Sequence, residues 1–182
     1  METTMTTHDT QPRDPLLIIA KAIIWFILGV LAFAGIIVAI CIPGILIVGP
    51  EFMEAAELEG LSMGTRGLIA VLLACVAGLL YLAWRFFRAM LAIVHSVSEG
   101  DPFIPTNADR LTAMAWMMLV INVAVVPLAL LGGYITQITG DDIVKGELNF
   151  DTSGLILVLT LFILARVFRH GAAMREDLEG TV

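Results

Sequence analysis

The chain has 182 residues, 59% of them hydrophobic and 15% charged, with a net charge of −7 and a mean hydropathy of +0.94. Soluble domains carry about 45–50% apolar and about 25% charged residues, so this composition excludes an ordinary water-soluble globule and predicts one compact membrane domain. The negative sum hides a segregation of basic residues, and no direct nucleic-acid binding is expected.

Residues 1–14 are polar, Thr-rich and aperiodic, and read as a disordered tail. The run after them is too long for a signal-peptide core and is read as a retained first span. Asp14 and Pro15 predict a helix start, with Asp as N-cap and Pro at the first helical position. The first span is expected over 20–42, with Lys21 at one boundary and Pro43-Gly44 ending the helix at the other. Glu51, Glu54 and Glu57 recur every third residue and suit a short interfacial helix with a solvated face.

The second span is expected over 66–86, with Arg85 and Arg88 at the inner surface and an amphipathic continuation to about Ser96. Ala70, Ala74 and Gly78 form a small-residue stripe that favours close helix packing, within the chain or in a homo-oligomer. Thr106-Asn107-Ala108-Asp109 reads as a capping box, opening a third span over 111–134. Asn122 and Pro127 interrupt that span, and Asn122 suits interhelical hydrogen bonding. Residues 137–151 are expected as the second outer loop, with GELNFD alternating polar and apolar as in a small hairpin. The fourth span, 152–169, is short: about 14 residues, or about 21 Å, separate Thr152 from Arg166. Arg166 therefore snorkels or is held inside the bundle. Residues 176–182 are expected as a polar tail.

Lys and Arg near span ends set orientation. Arg13, Lys21, Arg85, Arg88, Arg110, Arg166, Arg169 and Arg175 fall on one side, against Arg66 and Lys145 on the other. The expected fold is thus an all-α membrane protein, a four-helix bundle with both termini and the connection around Ser98–Leu111 in the cytosol.

Signatures of catalysis are missing: no phosphate loop, GxGxxG, GxSxG or HExxH occurs. His95 and His170 sit at inner helix ends and read as capping or headgroup-contacting residues, so no metal or cofactor is expected, and no enzymatic activity. One constellation stands out. Pro102 and Pro105 bracket Phe103 and Ile104 and stiffen the inner connection. Arginines end the second and fourth helices, and acids follow each pair. This face is either a self-satisfied cap or a docking surface, for which Asp101, Pro102, Phe103, Asn107, Arg110 and Asp177 are the candidate residues. Asn122 and Arg166 are the candidate intramembrane polar residues.

The segment GDPFIPTNADRL (Gly100–Leu111) and the ending EDLEGTV (Glu176–Val182) carry a resemblance. Through Pro102-Phe103, Asn107-Ala108, Arg110-Leu111 and Thr181-Val182, the chain from Leu16 onward resembles the bacterial four-span membrane proteins of domain-of-unknown-function family 2975. The resemblance implies a bacterial cytoplasmic membrane location. It also implies a partner, because members are often encoded beside a small helix-turn-helix regulator. The expected function is a regulatory or accessory membrane protein docking such a cytosolic regulator. The alternative is a small transporter or a transporter's accessory subunit.

Overall fold

The structure, a computed structural model, describes residues 15–47, 62–139 and 152–179. The Asp14 cap, the glutamate-rich segment and the 140–151 connection lie outside them. Four helices account for nearly all of the described chain: α1 Pro15–Ile47, α2 Met63–Ser98, α3 Pro105–Thr139 and α4 Thr152–Glu179. Each is long and apolar enough to cross a membrane, so the chain has the architecture of a four-span membrane protein. Cys41 and Cys75 are free.

The helices pack in chain order, α1 on α2, α2 on α3 and α3 on α4, and among the described residues no close backbone approach joins α1 to α4. The bundle is therefore an open row. Two apolar clusters hold it. At one end Ile45, Ile69 and Ile135 meet, flanked by Leu68, Leu72 and Leu131. Toward the other, Leu111, Met114 and Ala115 of α3 interlock with Leu161 and Ala165 of α4, with Phe86 and Met90 of α2 against them. Alanines at Ala115 and Ala165 let the backbones approach while the larger residues fill the flanks.

Three helix boundaries differ from the sequence expectation. α1 continues through Pro43 to Ile47. Proline removes one backbone hydrogen bond, but Ile45 is buried between α2 and α3, and that packing holds the last turn. α3 starts at Pro105 and not after Thr106, since proline's fixed φ suits the first helical position, where no N–H donor is needed. α4 continues to Glu179, through most of the expected tail.

The register fixes depth. Lys21 Nζ donates to Ser98 Oγ at 2.8 Å, while Ile45 packs on Ile69, so the uncharged length of α1 lies along α2 from Ile69 to Ser98. Arg85 and Arg88 consequently sit about 15–20 Å along the helix from the Ser98 layer. The two candidate layers for the membrane boundary can be compared by cost. Placing it at Arg85 would leave Ile23, Trp25, Phe26, Trp116, Ile163 and Val167, all more than half exposed, in water. Half the usual burial gain for six such side chains is on the order of 5–9 kcal/mol. Two arginines cost about 2.5–3.5 kcal/mol each at a bilayer centre and less near its edge. Both layers carry basic residues at this end of the bundle, Lys21 at one and Arg85 and Arg88 at the other. Arg88 meanwhile lies over the Trp84 ring, 4.8 Å from its centroid.

α4 is offset from the other three helices. Gly154 lies against Asn122, so α4 begins about 15 residues, or about 22 Å, short of the far end of α3. At the basic end it overshoots, carrying its last two turns past the start of α3.

Candidate functional site

The site is the cap at the basic end, built where α2 stops. Its termination is a Schellman arrangement: Gly100 adopts φ 87°, its N–H donates to the Val97 carbonyl, and the Asp101 N–H donates to the Ser96 carbonyl at 3.2 Å. Only glycine takes this backbone freely. A Gly100→Ala variant is accordingly expected to lose about 1–2 kcal/mol, read as a lower unfolding midpoint in detergent with the helical content of the folded state unchanged.

Asn107 then ties the connection to both helices. It is fully buried. Its Nδ2 donates to Ser96 Oγ at 2.6 Å and to the Pro102 carbonyl at 2.9 Å, and its Oδ1 accepts from Arg110 Nη1 at 2.8 Å. Ser96 Oγ in turn donates to the Ile93 carbonyl at 2.8 Å. Arg110 also reaches toward the Ala92 carbonyl at 3.5 Å. An amide has two donors and an acceptor, and all three functions are used here. A carboxylate in this position would have no donor for Pro102.

Outside this node the connection is fastened to α4. Arg175 donates to Asp101, Arg169 Nη2 lies 3.1 Å from Asp109 Oδ1, and the Phe103 ring stands 5.2 Å from that of Phe168. Phe103 rests on Gly171, where an added Cβ would come within 2.9 Å of its Cδ1. The ion pairs are solvent-exposed and worth little individually, whereas the aromatic contact and the buried amide define the shape.

Of the predicted docking residues, the cap therefore uses Asn107, Arg110 and Pro102 internally, and Asp101 in a tie to α4. Phe103 is 43% exposed and Asp177 is on the surface. Sequence reasoning missed two more exposed apolar residues, Met174 at 52% and Leu178 at 72%. They fall with Val167 and Gly171 at helical spacing on one face of α4. That periodicity was legible once the helix was known to continue to Glu179. The groove between Phe103 and α4 is lined by Arg166, Val167, Arg169, His170, Gly171, Ala173 and Met174. Among the described residues, no three His, Cys, Asp or Glu side chains converge on a metal position.

The two candidate intramembrane residues lie apart. Asn122 Nδ2 donates to the Met118 carbonyl at 3.0 Å, and its amide rests on Gly154 of α4. Arg166 is exposed on α4, three residues before Arg169.

These features define a multi-pass helical membrane protein with a polar, self-bonded cap. The family model described as protein of unknown function (DUF2975) matches residues 46–182, and the chain belongs to that family. The match begins at the end of α1 and takes in α2, the cap, α3 and α4, a shorter reach than the resemblance from Leu16 suggests. No curated protein and no solved structure matches the chain.

Proposed function

We propose that this is a regulatory or accessory membrane protein, without enzymatic activity, in a bacterial cytoplasmic membrane. Its basic-end cap faces the cytosol and docks a partner such as a small helix-turn-helix regulator. One observation supports the reading: Phe103, Met174 and Leu178 are exposed at the cap, the last two on the final turns of α4 that extend past the start of α3. Apolar side chains grouped at water-facing positions mark interaction surfaces. The orientation draws on the concentration of Lys and Arg at this end.

The test is co-purification of the regulator with the full chain. Wild type is expected to retain it, Met174→Ser/Leu178→Ser to lose it by at least tenfold, and Arg85→Gln to behave as wild type. Equal retention by the serine variant would remove the docking face. A cysteine placed at Glu99 is expected to resist an impermeant thiol reagent in intact cells; labelling there would invert the topology.

The transporter alternative draws on the start of α4 beside Asn122, since interrupted helices line substrate paths in transporters. Arg166 lies about 18 Å further along α4 and faces outward, so the two polar residues do not share one path. Loss of rescue by Asn122→Leu in a deletion strain, with Arg166→Leu active, would favour it.

A further inference from the structure

We propose that the outward face of α4 at the basic end binds an anionic phospholipid, its phosphate held between Arg166 and His170 and an acyl chain laid along Ile163, Leu159 and Ile156. Arg166 and His170 are one turn apart and so share a face. Neighbouring cations are engaged: Arg169 with Asp109 and Arg175 with Asp101. Arg166 and His170 have no hydrogen-bond or ion-pair partner among the described residues. Two donors thus face outward without a counter-charge, and the acids of α4 begin only at Glu176.

The same face continues into the membrane as an apolar ladder. Ile156, Leu159 and Ile163 follow at intervals of three and four residues and are all more than half exposed. The ladder and the basic groups join at the end of the bundle where Lys and Arg concentrate, a level suited to anionic headgroups. Beside Arg166 the groove supplies apolar walls from Phe103, Val167 and Met174, with Gly171 as its floor. A soluble anion would satisfy the donors and leave the ladder uncovered. A phospholipid of negative headgroup matches both, because its phosphate is fixed about one headgroup length from its chains. Basic pockets at this level of a membrane protein suit anionic headgroups. This inference does not depend on a docked regulator.

Native mass spectrometry of the full chain in mild detergent, titrated with phosphatidylglycerol, phosphatidylethanolamine or inorganic phosphate, tests it. Wild type is expected to retain phosphatidylglycerol in preference to phosphatidylethanolamine. Arg166→Gln should weaken retention about fivefold and Arg166→Gln/His170→Gln further, while Arg166→Lys keeps most of it. Leu159→Gln, which interrupts the ladder and leaves every charge in place, should also weaken it. Arg85→Gln, on α2 and outside the groove, should match wild type. The site is overturned if the Arg166 and His170 variants retain as much lipid as wild type, or if Arg85→Gln loses as much as Arg166→Gln. Equal retention of the two lipids, or displacement of lipid by millimolar phosphate, would overturn it too.

Discussion

A Gly154→Leu variant is expected to be destabilised by about 1–3 kcal/mol, the usual range for overpacking, with α3 and α4 driven apart. Even the first added carbon has no room: a Cβ at Gly154 would come within 2.7 Å of Asn122 Nδ2 and 2.8 Å of Asn122 Cγ. The Asn122 amide is held by its bond to the Met118 carbonyl, so it cannot turn away without leaving a polar group unpaired among apolar neighbours. The check is a double-mutant cycle in detergent or bilayer. Asn122→Ala should relieve part of the Gly154→Ala cost, giving a coupling of about 0.5–3 kcal/mol. Strict additivity would show that the two positions do not touch.

Asn107→Leu is expected to have the second large effect, about 3 kcal/mol of lost stability and a loosened cap. The substitution strands the Pro102 carbonyl and removes the carboxamide oxygen that accepts from Arg110. A buried group left without a partner costs about 1–3 kcal/mol, and more when the group is charged. Asn107→Asp keeps an acceptor for Arg110 but sets a carboxylate against the Pro102 carbonyl, so it should recover only part of the loss. Cysteine accessibility at Ile104 gives a local readout, expected to rise in Asn107→Leu and to stay at the wild-type level in Asp177→Asn. If Asn107→Leu melts within about 0.5 kcal/mol of wild type, the range of ordinary surface substitutions, the buried-amide account of the cap is wrong.

Four long apolar runs separated by polar connections were enough to read the helices, because a bilayer admits few alternatives for an apolar run of that length. The sequence also marked the cap as a unit, through Pro102, Phe103, Asn107 and Arg110. What it did not show was which of these residues point inward. Asn107 occupies the first turn of α3, a place where asparagine ordinarily faces water, and nothing local reveals that Ser96 and Pro102 close over it. The continuation of α2 past Arg85 was legible, expected to about Ser96 and observed to Ser98, but its tie to α1 through Lys21 was not. Nothing in the sequence around Gly154 signals the offset of α4, which its contact with Asn122 sets.

The row-like packing carries a mechanical consequence. Among the described residues no close backbone approach joins the first and last helices, yet at the basic end a short chain of bonds spans the gap: Lys21 to Ser98, then through the Gly100 turn to Asp101 and Arg175. Force or displacement applied at α1 reaches α4 by this strap more directly than through the two helices between them. Both of its bonds are polar and near water, so they exchange readily with solvent, whereas the aliphatic contacts beneath them do not. The links along this edge are polar while the clusters beneath are aliphatic, so breaking the strap leaves the core packing in place.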